Sequence, residues 1–197
     1  WAAFALAMMA GIYLVYIGGW PIVAVGLASI AAAIIYTGGP WPIGYHALGD
    51  AFTFVFFGLV AVIGTYYVQA GEVTRLAVVA AIPLGCTVTQ ILVVNNLRDI
   101  ETDRRAHKRT LGVILGDGGT RAWFGLLMLF AWAIPLALFP WARFAWLAVP
   151  LSLPFSLPLL RDIRSGTSGH ALNAVLKATA RHHLIFGLLL AAALALS

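Results

Sequence analysis

The sequence predicts an all-α fold, a polytopic transmembrane helical bundle, and three observations carry that prediction. Hydrophobic residues make up 62% of the 197-residue chain and charged residues 10%, with a mean hydropathy of +0.95; a soluble domain carries about a quarter charged residues. The apolar residues gather into continuous runs rich in Ala and Leu instead of alternating with polar ones, which argues against a membrane β-barrel. Six of the seven Trp, at positions 1, 20, 41, 123, 141 and 146, fall near the ends of those runs, where interfacial rings collect.

The runs occupy residues 2–17, 21–36, 51–68, 76–94, 123–139, 144–160 and 184–196. A helix covers the hydrocarbon core with about 20 residues, so most runs qualify as spans once flanks are added, and the last is expected to begin some residues earlier. Between the second and third, Gly and Pro in residues 36–50 predict a rigid turn, with Asp50 a candidate cap for the third span and Trp41 and Tyr45 candidate interfacial anchors. Gln69 reads as a helix-end residue. Cys86, the single cysteine, excludes an internal disulfide and reads as packing. In the sixth run Pro150, Pro154 and Pro158 recur every four residues, each removing a helical hydrogen bond and predicting a kink. The pairs Arg161-Asp162 and His182-His183 read as interfacial flanks. No repeat or soluble domain interrupts the chain, which reads as one transmembrane domain over residues 1–197.

Alternating the connections across the bilayer places residues 37–50, 95–121 and 161–183 on one side. That side holds ten of the twelve Lys and Arg, leaving Arg75 and Arg143 opposite, and the positive-inside rule makes it cytoplasmic. The net charge of +5 therefore reads as orientation in a lipid bilayer, with no nucleic-acid partner implied. The chain opens at Trp1 with no initiator Met or basic segment, as a cut would leave it, and parity puts that end on the cytoplasmic side.

Chemistry concentrates in Asn95-Asn-Leu-Arg-Asp-Ile-Glu-Thr-Asp103 and the following Arg104-Arg-Ala-His-Lys-Arg-Thr110. Continued as a helix, Asn95, Asp99 and Asp103 line one face at steps of about 6 Å. Such a row of oxygens suits a hard cation; magnesium takes one or two carboxylates and completes its shell with water and phosphate oxygens. The basic residues Arg98, Arg104, Arg105, Lys108 and Arg109 fit either a phosphate-binding cluster or a solvated cytoplasmic loop. Glu101 points off the row as a surface ion-pair partner, and His107 reads as a solvated loop residue. Tyr36 could face a carbocation with its ring or a phosphate with its hydroxyl.

These pieces resemble the UbiA-type intramembrane aromatic prenyltransferases, and within them the MenA branch of 1,4-dihydroxy-2-naphthoate polyprenyltransferases of menaquinone biosynthesis. The likeness rests on Tyr36-Thr-Gly-Gly-Pro with Leu48-Gly-Asp50, on Gly64-Thr-Tyr-Tyr-Val-Gln69, and on the segment from Asn95 to Asp103 with Lys108-Arg-Thr-Leu111. It implies that the seven spans are helices three to nine of a nine-helix fold in a bacterial-type inner membrane, and that a first Asp-rich motif precedes Trp1. It implies Mg²⁺-dependent transfer of a polyprenyl group from a polyprenyl diphosphate to 1,4-dihydroxy-2-naphthoate with loss of CO₂, and an inactive product from residues 1–197 alone. Carried over residue by residue, it makes Asp99 and Asp103 metal ligands and Asn95 a supporting ligand. Arg98, Lys108 and Arg109 become diphosphate contacts, and Tyr36 stands near the reacting carbon. His107 stands where the family usually has Gly, Ile114 where it often has a basic residue, and Asp50 where Glu is usual, so the diphosphate contacts are carried no further than Arg109.

Two alternatives accompany this reading: a UbiA-type enzyme for another aromatic or quinone precursor, and a seven-helix transporter or receptor. Transporters place ionisable groups near the bilayer midplane. Here they gather at span ends on one side, which favours the enzyme.

Overall fold

The structure, a computed structural model, describes residues 2–39 and 42–197, so Trp1 and Trp41 and the anchoring expected of them lie outside it. The described residues form seven long helices and no strand: α1 (Ala2–Gly18), α2 (Trp20–Thr37), α3 (Gly49–Ala70), α4 (Arg75–Arg105), α5 (Leu111–Ala137), α6 (Ala148–Arg164) and α7 (Leu172–Ala195). Each expected run falls within or largely over one helix. Of the seven, α2 through α5 and the stretch Gly169–Ala195 are long and apolar enough to cross a membrane.

The centre is α4. At 1.5 Å per residue its 31 residues reach roughly 45 Å, against about 30 Å of hydrocarbon, so its two ends cannot both lie inside the apolar layer. Thr74 starts it by accepting a hydrogen bond from the Ala77 N–H at 3.1 Å, satisfying one of the unpaired first-turn donors. Val93, Val94 and Leu97 of α4 pack with Phe124, Leu127 and Met128 of α5, Leu159 and Ile163 of α6, and Leu172 and Val175 of α7 in one buried cluster. On its other flank α4 meets α3 at a crossing of small residues. A Cβ on Gly58 would lie 2.4 Å from the Gly85 Cα, and one on Gly85 would lie 2.8 Å from the Phe54 ring. Gly58 falls in a widened, π-helical stretch of α3, Phe54–Val60. By contrast α2 buries none of its side chains, as suits a helix whose apolar surface meets lipid.

Several expectations are corrected. Pro150 sits in the first turn of α6, where a helical N–H has no partner to lose; only Pro154 and Pro158 are interior, and the helix runs on through both. The last helix begins at Leu172, so His182 and His183 lie some three turns inside it instead of flanking it. His182 is fully buried, and the His183 Nδ1 lies 2.8 Å from the Thr87 Oγ1 of α4. Trp123 stands about two turns past a break in the helical backbone of α5 at Gly116 and donates a hydrogen bond to Asp50 in the first turn of α3.

Candidate functional site

The polar residues of the fourth helix stay on it to the end, because α4 continues unbroken through Arg105. Asn95, Arg98 and Asp99 form one hydrogen-bonded group. The Arg98 guanidinium donates from Nε to Asp99 Oδ1 at 2.8 Å and from Nη2 to Asp99 Oδ2 at 2.6 Å. The same Nη2 donates to Asn95 Oδ1 at 2.8 Å, and Nη1 donates to Asn173 Oδ1 on α7 at 2.8 Å. The expected row thus exists, and two of its members converge on a single positively charged point.

Asp103, one turn on, belongs to a second group. Its carboxylate faces Lys108 Nζ at 3.6 Å and accepts a long hydrogen bond from the Thr110 hydroxyl at 3.5 Å. The link from α4 to α5 turns back sharply at His107, whose φ is 56°, and this brings Lys108 over the Tyr45 ring at 5.1 Å. The Arg109 N–H donates to the Tyr45 carbonyl at 2.9 Å, while its side chain is exposed. Tyr45 is therefore a strut between the two connections as well as a ring at the bundle end. Glu101 pairs with Arg104 at 2.6 Å on the surface, and His107 is exposed, both as expected.

Asp50 is not a helix cap. It lies in the first turn of α3, buried to 6% exposure, and its carboxylate accepts from Trp123 Nε1 at 2.8 Å and from Asn96 Nδ2 at 3.3 Å. A carboxylate at such depth needs those donors, since an unpaired buried charge costs several kcal/mol. Tyr36, in the last turn of α2, packs its ring beside Gly44 and its hydroxyl beside Gly49, where an added Cβ would sit 3.0 Å from the oxygen. No hydrogen bond joins Tyr36 to Asn95, Asp99 or Asp103; it stands next to Asp50 instead. Its ring leads through Phe52, at 6.4 Å between centroids, to Phe56, at 5.5 Å.

Phe56 opens onto an apolar groove of about 1200 Å³ between α1, α2 and α3, lined among others by Ile12, Ile30, Val60, Gly64 and Val68. The Asp50 group and the groove are thus joined by a ladder of aromatic rings.

Among the described residues no three His, Cys, Asp or Glu side chains converge as a metal cage. The donors do fit a cation of the magnesium kind, which needs only one or two carboxylates when a phosphate completes its shell. The observation that supports the fit is that Asn95 Oδ1 and Asp99 Oδ2 both lie within 2.8 Å of one Arg98 nitrogen, so they can share a positive partner. Asn96, Trp123, Tyr45, Thr110 and Asn173 were not legible as site residues in the sequence.

Comparison with known proteins follows the same lines. Residues 1–174 match the UbiA prenyltransferase family. Over 194 residues the chain is 41% identical to the 1,4-dihydroxy-2-naphthoate octaprenyltransferase of Mycobacterium tuberculosis, covering 97% of this chain and 65% of that protein. It is 38% identical over 193 residues to the protein of the same name from Mycobacterium leprae, covering 98% and 65%. The human UbiA prenyltransferase domain-containing protein 1 is 33% identical over 178 residues, 89% of this chain and 47% of that one. The chain therefore spans just under two thirds of the length of the mycobacterial relatives.

Proposed function

Because the chain belongs to the UbiA prenyltransferase family, we propose that it carries the second Asp-rich half of an enzyme that moves a polyprenyl group from its diphosphate to 1,4-dihydroxy-2-naphthoate, a step of menaquinone biosynthesis. The observation that carries the reading is that one path links two chemistries: Asn95, Asp99, Asp103 and Lys108 at the polar bundle end, and an apolar groove that runs from Phe56 toward the opposite end, with Tyr36 and Phe52 between. Each substrate has a matching surface. The diphosphate meets the Arg98, Lys108 and Arg109 cations, the prenyl tail meets the groove, and the naphthoate ring lies between them against Tyr36.

Asp99, Asp103 and Asn95 would hold a Mg²⁺ ion, which would supply charge neutralisation for the leaving diphosphate. The protein does the rest. Arg98 and Lys108 hold the diphosphate as its bond to the allylic carbon breaks, and the Tyr36 π face stabilises the carbocation. The apolar wall of α2 and α3 keeps out water that would capture that cation. The ring carbon bearing the carboxylate then bonds to the prenyl carbon, and the carboxylate leaves as CO₂. The polar end faces the cytoplasm in this reading, as the positive-inside rule requires.

The test is an assay of the complete gene product containing these residues, in membranes, with prenyl diphosphate and 1,4-dihydroxy-2-naphthoate. Transfer is expected with Mg²⁺ and is expected to stop on adding EDTA. Asp99→Asn should lower it by roughly a hundredfold or more; full turnover in that variant would remove the metal assignment.

A further inference from the structure

We propose that Arg98 is the resident cation of the Asp99–Asn95 seat, parked there by Asn173 of α7, and that a divalent ion loads by releasing it toward the diphosphate. The inference rests on the reading of Asp99 as a metal ligand and adds a positioning residue from a helix that none of the sequence motifs touches.

One guanidinium makes all the contacts. Both Asp99 carboxylate oxygens and the Asn95 amide oxygen, the atoms that would ligate the ion, lie 2.6–2.8 Å from Arg98 nitrogens. An Arg side chain stays charged at every working pH, and a second cation within about 4 Å would repel it strongly in such a half-buried place. Arg98 and a divalent ion are therefore alternative occupants of these oxygens. Asn173 decides how firmly the first is held. Its Oδ1 takes the remaining terminal nitrogen, Nη1, at 2.8 Å, from the first turn of a different helix. The fork thus closes on two sides, Asp99 and Asn95 on α4 and Asn173 on α7.

Asp103 shows the contrast. Its cationic neighbour Lys108 stands at 3.6 Å as a point charge on a flexible stem, so Asp103 can accept an ion without breaking a fork. The ion enters from the Asp103 side, Arg98 lets go of Asp99, and its guanidinium keeps its charge at the site, where the anionic diphosphate is the next partner. The exchange makes metal and diphosphate binding interdependent: each stabilises the arrangement that the other needs.

The experiment titrates Mn²⁺ against the complete gene product in nanodiscs, without diphosphate, reading free Mn²⁺ by EPR, and then adds inorganic pyrophosphate. Arg98→Gln should bind Mn²⁺ about tenfold more tightly, yet hold pyrophosphate in the presence of Mn²⁺ about tenfold less tightly. Asn173→Ala should tighten Mn²⁺ by a smaller factor, about twofold to fivefold, because Arg98 loses one anchor. Unchanged or weaker Mn²⁺ binding in Arg98→Gln overturns the exchange, and the same result in Asn173→Ala overturns the parking role. Should the Gln variant fail to fold, Arg98→Lys, which cannot fork, gives the same reading with the same sign. Asp99→Asn is the separate control: if it leaves Mn²⁺ binding intact, the metal reading fails, whatever Arg98 does.

Discussion

Asp50 and Trp123 show what a single hydrogen bond does in this protein. The indole N–H at 2.8 Å is the shorter of two donors to a carboxylate that is nearly sealed from solvent. Trp123→Phe keeps the ring packing and removes the donor, so it should lower stability by about 1–3 kcal/mol, measured as a drop in the thermal midpoint in detergent. Asp50→Asn combined with it should lose less than the two changes added together, because the partners are coupled. At this scale the sequence shows what is local and hides what is distant. Asn95, Asp99 and Asp103 are readable as a row because helical spacing alone aligns them. Trp123 and Asn173 are not, because each meets its partner across more than 70 residues of chain, and no spacing rule reports such a contact.

Among elements, α3 approaches α4 closely at Gly58 and Gly85. Gly58→Ala places its Cβ against backbone that cannot move aside alone, and forced separation of packed helices costs about 1–3 kcal/mol. Gly64→Ala, less than two turns away with open space around its Cβ, should leave the thermal midpoint unchanged or slightly higher, which makes the pair a controlled comparison. Helix number and order were legible from the apolar runs, since each span must be apolar to enter lipid. Helix ends were less so. The run at residues 184–196 belongs to a helix that starts at Leu172, and the polar residues before it were read as flanks. Thr179 and His183 are tolerated inside because Thr179 bonds the Val175 carbonyl at 2.8 Å and His183 meets Thr87; hydropathy registers their polarity and not their partners.

For the whole molecule, the apolar groove and the polar end define a gradient from hydrocarbon to charge. Gly64 lines that groove and has nothing within 4 Å of a built Cβ, so Gly64→Trp should fill it without disturbing α4. In the proposed reaction the variant should favour shorter prenyl donors over long ones, read by mass spectrometry of the products, with transfer of the shortest donor preserved. The bundle class was legible from composition alone, but the groove was not, because it arises from how α1 and α2 lean on α3 and not from any motif. One more consequence follows from the length of α4. In the proposed reading, in which the Asp-bearing end of α4 is the one that projects past the hydrocarbon, its carboxylates stand at the height of lipid headgroups. An amphiphilic donor already sits there with its tail down, so for the proposed reaction encounter becomes a two-dimensional search within one leaflet, and only the small aromatic acid has to arrive from water.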